Sequence, residues 1–185
     1  MHLIKGNMFD PASYTDDQGK FIAIKPNALV ITTNGFVKST GAGVMGRGCA
    51  KKAAEIFPYL PLSLGRLIRR IGNHVGVMLI SADIHLISFP VKPESGICNP
   101  DKSNIVRHMK DKFEPGVMVP GWACKAELKL IKQSAIELRD LVNSKGWNKI
   151  ILPRPGCGNG ELDWEHVHPI LNKYLGDEFY CITYS

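Results

Sequence analysis

The sequence predicts an α/β domain built on a largely parallel sheet. Short β-branched apolar runs recur along the chain, and segments with helical periodicity fall between them. Two glycine-rich clusters each sit where such a run ends and a helix opens. At 185 residues the chain suits one well-packed domain and is short for two, so a single domain over 1–185 is expected.

Residues 28–33 form a short β-branched run closed by Asn34-Gly35, which reads as a buried strand. Residues 44–57, rich in Ala and Lys and stopped by Pro58, read as a helix. In 61–71, Leu64, Leu67, Ile68 and Ile71 recur at helical spacing while Arg66, Arg69 and Arg70 turn away. A basic amphipathic helix of this kind can bind a membrane, but its length favours a core-facing helix with a solvated basic side. Residues 75–80 and 85–89 predict two strands of a hairpin joined through Ser81-Ala82-Asp83. Leu128, Ile131, Ala135, Leu138 and Val142 mark the apolar face of a helix over 125–145, closed by Gly146. A strand over 149–152, a helix over 164–175 ended by Gly176, and a last strand over 179–184 complete the alternation.

Residues 93–121 do not join this pattern. They hold Pro93, Pro100, Pro115 and Pro120, with only a weak helical spacing at Ile105, Met109 and Phe113. A stretch this long without regular elements is functional or disordered in most domains. Lys102, Arg107, Lys110 and Lys112 make a lid or a nucleic-acid contact one reading, and a mobile surface loop the other.

Composition removes several classes. No apolar stretch approaches the roughly 18 residues that cross a bilayer, so no membrane partner is expected. The opening Met1-His-Leu-Ile-Lys-Gly6 has no long apolar segment with a cleavage site, and the expectation is a cytoplasmic protein. Cys49, Cys98, Cys124, Cys157 and Cys181 are odd in number and widely spaced, against a disulfide framework or a zinc site. His166 and His168 lie two apart on a helix and diverge, so no metal and no cofactor are expected. The net charge of +6 favours phosphate-bearing partners, nucleic acid among them.

The glycine clusters carry the chemistry. Gly156, Gly158 and Gly160, with Cys157 and Asn159 between them, leave backbone N–H groups free to close on an anion beside a helix N-terminus. Ala42, Gly43, Val44, Met45 and Gly46 lie in a second such turn, and two loops fit a ligand with two phosphates. Gly41-Ala-Gly-Val-Met-Gly46 matches the dinucleotide fingerprint literally. However, seven residues separate it from Thr33, and Arg66 lies where a ribose-binding acid belongs, so a nicotinamide dehydrogenase is rejected. No P-loop motif is present.

Taken together with Lys5-Gly-Asn-Met8, the two clusters resemble the macrodomain family, which binds ADP-ribose. Residues 3–10 resemble its first strand and adenine-side turn, 28–57 its first loop and helix, and 148–184 its phosphate loop, last helix and last strand. The run from Gly156 to Trp164, the Val44-Met-Gly-Arg-Gly48 turn and the Phe89-Pro-Val-Lys92 stretch resemble the branch that includes DNA ADP-ribosyl glycohydrolase antitoxins. Two departures stand out. Asn7 occupies the place of an adenine-contacting aspartate, and Gly160 stands where a related hydrolase branch carries a catalytic aspartate. The resemblance also implies that 93–121 is an insertion over the site.

The resemblance thus implies a three-layer α/β/α macrodomain with a mixed central sheet. Asn7 and Met8 would lie by the adenine and Asn34 by the distal ribose. The 42–46 and 156–160 loops would hold the diphosphate, and Lys92 would be catalytic. Alone, Lys92 would read as a surface lysine. Cys157 reads as a small residue in a phosphate loop rather than a nucleophile, Asp163 as a helix N-cap, and Trp164 as a core anchor. Arg154 faces phosphate or solvent. The expected activity is hydrolysis of ADP-ribose from a modified acceptor, a nucleic-acid base among the candidates. The alternatives are an ADP-ribose 1″-phosphate phosphatase and a non-catalytic ADP-ribose reader.

Overall fold

Strand β2 (Ala28–Asn34) forms the spine of the fold. It lies between β7 (Ile150–Pro153) and β4 (Ile84–Lys92) in a six-stranded sheet. β1 (His2–Lys5), β8 (Phe179–Thr183) and β3 (Gly76–Ser81) complete the order β1-β8-β7-β2-β4-β3. Every neighbouring pair is parallel except β3 with β4, so the sheet is mixed. These elements come from a computed structural model that describes residues 1–184.

Alternating side chains build two cores on opposite faces of the sheet. Val30, Ile87, Phe89, Ile150 and Leu152 pack against α3 (Leu128–Lys145) and α4 (Trp164–Tyr174). Leu29, Ile31, Leu86 and Ile151 pack against α1 (Gly48–Ile56) and α2 (Leu60–Ile71). The result is three layers, α/β/α. The arginine-bearing helix α2 is core-facing, as its periodicity predicts: Leu60, Leu64 and Leu67 are buried. Gly146 closes α3 in the left-handed conformation, with φ 64°. The β3–β4 hairpin turns through Ala82 and Asp83, both at positive φ.

Two helix starts differ from the sequence reading, with long-range hydrogen bonds as the cause, and the strand expected over 85–89 runs on to Lys92. The first helix opens at Gly48 rather than at residue 44, because the Asn34 side chain donates to Val44 O and holds that turn to the end of β2. The long helix opens at Leu128 rather than at 125. The N–H groups of Lys125, Ala126 and Glu127 are drawn to Asn104 O, Gly160 O and Val91 O.

The 93–121 segment has more structure than its sequence suggested. β5 (Ser95–Ile97) pairs antiparallel with β6 (Met118–Pro120), and a 3-10 turn spans Arg107–Lys112. Cys98, Ile105, Val119, Ala123 and Cys124 form a small core of their own, with Met109, Phe113 and Trp122 against it. Its ends meet at Gly121, whose N–H donates to Glu94 O and where a Cβ would lie 1.7 Å from Pro93 O. We refer to this unit as the cap.

Candidate functional site

The C-terminal ends of the five parallel strands lie along one edge of the sheet. There β2 and β7 pair only at Ala28–Ile150 and Leu29–Ile151 before they part. The chain leaves β2 toward α1 on one face and leaves β7 toward α4 on the other. Adjacent strands whose connections depart to opposite faces leave a crevice between them, the usual place for a ligand in an α/β sheet. A cleft of about 380 Å³ occupies it, large enough for a nucleotide-sized molecule.

Both glycine loops wall this cleft, but not with all of their residues. On one side it is lined by Val44, Gly46, Arg47, Gly48 and Cys49, and on the other by Gly156, Gly158, Asn159 and Gly160. The loops approach closely: a Cβ at Gly48 would lie 3.0 Å from the Asn159 side-chain amide nitrogen. Among the described residues, the N–H groups of Gly46, Gly48, Cys49, Gly158, Asn159 and Gly160 meet no protein acceptor. The first turn of α1 also lacks a side-chain cap, so its positive dipole end is open to the cleft.

Basic side chains line the site. Arg47, Lys92 and Arg154 face it beside His108, and among the described residues no Asp or Glu does. Lys92 is 8% exposed; its Nζ donates to Trp122 O at 3.2 Å, and its carbonyl accepts from the Asn73 side chain at 3.0 Å. Burial lowers its pKa to about 8, helped by the charge of Arg47 and opposed by Cys124 and Glu161. Thr33 is 4% exposed, and its hydroxyl, among the described residues, has no partner. Arg154 lines the cleft as an exposed side chain whose guanidinium lies 4.6 Å over the Trp164 ring. Trp164 accordingly packs on the α3–α4 core and supports Arg154 at once.

Several sequence-selected residues serve other ends. Gly43 donates to Pro61 O, and a Cβ there would strike Leu64 at 2.6 Å; it admits α2 rather than a ligand. Ala42 O accepts from Lys38 N–H in the same turn, and Met45 is a core residue. Asn34 lines the cleft with its amide engaged, donating to Val44 O and accepting from Phe36 N–H. Cys157 lies in the loop but off the cleft wall; burial pushes its thiol up to about 11, which removes the thiolate a nucleophile needs. Asp163 stands at the N-cap of α4 without a capping side-chain bond.

Asn7 and Met8 follow β1 at the same edge of the sheet and do not line the cleft. The Asn7 side-chain amide oxygen accepts from Phe9 N–H, and Met8 is 2% exposed in the core. Among the lining residues that the sequence did not single out are Thr33, Arg47, His108, Met109 and Trp122. Arg47 sat inside a motif already marked. The last three come from the cap and its base, whose path no local pattern predicts. Among the described residues no His, Cys, Asp and Glu cluster is grouped to hold a metal ion, and no helix is long and apolar enough to cross a membrane.

No protein-family model matches the sequence, and no curated protein matches it. Solved structures do. The macrodomain of Mycobacterium tuberculosis DarG is 22% identical, with 90% of this chain and 93% of that one covered at a TM-score of 0.60. The macrodomain of Thermus aquaticus DarG is 17% identical, covering 100% and 97% at 0.64. Thermosipho africanus DarTG, solved in complex with ADP-ribose, is 18% identical; 86% of this chain matches 38% of that one, at 0.60. Mixed sheet, flanking helix layers and these likenesses agree: the chain has the macrodomain fold.

Proposed function

We propose that the protein is an ADP-ribosyl hydrolase that releases ADP-ribose from a modified acceptor, a nucleic-acid base being the favoured class. The observation that carries this reading is Lys92: a buried amine of lowered pKa at a cleft lined by basic side chains and free N–H groups, with no Asp or Glu among the described lining residues. The unpaired N–H groups of the two loops suit a diphosphate. The ADP-ribose complex of the T. africanus protein supports the ligand.

Positions without a steric role add to this. Neither Gly46 nor Gly158 has an atom within 4 Å of an added Cβ, and neither has positive φ. Packing and conformation leave these two glycines unexplained, whereas a ligand seated against the backbone would account for both. The unpartnered Thr33 hydroxyl is available to a ligand hydroxyl in the same cleft.

In the proposed reaction, the diphosphate clamp fixes the anomeric carbon of the distal ribose. As its bond to the acceptor breaks, the acceptor leaves with the electron pair and takes a proton. The unprotonated Lys92 amine forms a bond to that carbon, and water then cleaves the adduct to give ADP-ribose and the free amine. The alternative role for Lys92 is to shuttle the proton while water attacks directly.

The test is turnover of an ADP-ribosylated oligonucleotide by wild type and Lys92→Ala, with ADP-ribose binding measured on both. A loss of about 10²-fold or more in rate with binding retained is expected. Equal rates overturn the assignment of Lys92. Phosphate release from ADP-ribose 1″-phosphate without activity on modified DNA or protein would identify a phosphatase, and binding without turnover of any linkage a reader.

A further inference from the structure

The positive charge of this protein is confined to one part of it. Residues 36–71 hold seven lysines and arginines against one acid, Glu55, a net of +6; the remaining 149 residues carry sixteen of each and sum to zero. That stretch is the loop after β2 together with α1 and α2, all on one face of the sheet. Glu55 is paired with Lys51 and Lys52. Among the described residues, Lys38, Arg47, Arg66, Arg69 and Arg70 make no ion pair.

These free cations run on from the cleft. Arg47 lines it, and the Arg69 guanidinium lies against Gly41 of the same loop, where a Cβ would be 3.2 Å away. Arg66, Arg69 and Arg70 are three and four residues apart, so they share one exposed side of α2.

We propose that this surface, the loop after β2 and the arginine side of α2, binds the phosphates of single-stranded nucleic acid whose attached ADP-ribose enters the cleft. The idea of an attached ADP-ribose rests on the hydrolase reading above; the phosphate-binding surface does not. A cleft of about 380 Å³ admits the modification but not a duplex, so the polymer must lie outside it. Chemistry on a base-linked atom also requires that base to be out of the stack. An anionic membrane fits less well, because Leu60, Leu64 and Leu67 of α2 are committed to the core, which leaves only Leu62 and Ile71 of its large apolar side chains exposed.

The experiment is fluorescence anisotropy of a labelled, unmodified 12-nucleotide single strand across a potassium chloride series. It compares wild type, Arg66→Gln/Arg70→Gln, and a control, Lys129→Gln/Lys132→Gln, on the opposite helix layer. Each phosphate contact contributes about 0.7 to the slope of log affinity against log salt for single strands. The α2 variant should therefore lose about 1.4 from the slope and roughly 25-fold in affinity at 0.1 M salt. The control should match wild type, and ADP-ribose calorimetry should be unchanged in all three. No binding by wild type at 50 mM salt, equal losses in both variants, or tighter attachment to phosphatidylserine vesicles than to the strand would overturn the surface. If the strand behaves as expected while wild type fails to bind ADP-ribose, the surface stands and the hydrolase reading falls.

Discussion

Lys92 shows how a single buried charge sets both chemistry and stability. An unfolded lysine titrates near 10.4, whereas in the fold burial brings this one to about 8. Between those values the unfolded chain holds the extra proton, so the group's contribution to stability rises with pH across that window. Below pH 8 the ammonium is buried at full cost, at most about 3 kcal/mol from a shift of some two units. Replacement by Met removes that cost and also the hydrogen bond to Trp122 O, which returns about 1 kcal/mol. Lys92→Met should therefore be about 2 kcal/mol more stable than wild type at pH 7, with the gain fading toward pH 10. Urea unfolding at pH 7 and 9.5 checks this; a destabilised variant at pH 7 would show that the amine is not held against its hydration. If the free amine attacks the sugar, wild-type turnover should climb with pH through about 8, whereas a falling rate would favour its protonated form as the working species. The sequence pointed to Lys92 only through a short Phe-Pro-Val-Lys resemblance. Its burial arises from partners thirty residues away, at Trp122, and nineteen away, at Asn73.

At the scale of elements, strands and helices were legible because each repeats one pattern over several residues. Boundaries were not, because they depend on single distant hydrogen bonds such as Asn34 to Val44 O. The glycine loops show the same division. Both were visible as loops, but a glycine that admits a helix and one that admits a ligand look alike in sequence. Gly65 and Gly160 are fixed by packing against backbone: a Cβ would lie 1.8 Å from Gly41 O and 2.5 Å from Gly156 O respectively. Gly46 and Gly158 face open space. Alanine at Gly65 or Gly160 should cost about 1–3 kcal/mol or more by overpacking against backbone. Alanine at Gly46 or Gly158 should change stability by no more than about 0.5 kcal/mol, while weakening ADP-ribose roughly tenfold, a loss of about 1.4 kcal/mol. Thermal unfolding and calorimetry on the four variants separate the two classes; full affinity in Gly46→Ala and Gly158→Ala would mean that the ligand does not sit against these loops.

For the whole molecule, the three layers followed from alternation of strands and helices, while the cleft followed from topology that no local pattern encodes. It lies where β2 and β7 send their chains to opposite faces, and the cap closes it with residues that only the cap's own small core positions. The walls therefore belong to separate parts of the molecule, one on the α1 side, one on the α3–α4 side and one on the cap. A ligand touching all of them ties those parts together, and its binding free energy becomes folding free energy. At a concentration 100 times its dissociation constant, ADP-ribose should stabilise the fold by about 2.7 kcal/mol. For a chain of this length that is roughly 5–10 °C in the unfolding midpoint. AMP lacks the second phosphate and the distal ribose, so it leaves one wall untouched and should give a much smaller shift at equal concentration. A thermal-shift series with both ligands decides between a clamp that spans the cleft and a pocket on one side of it. Equal shifts would place the ligand on one wall alone, and no shift with millimolar ADP-ribose would remove ADP-ribose as the ligand of this cleft.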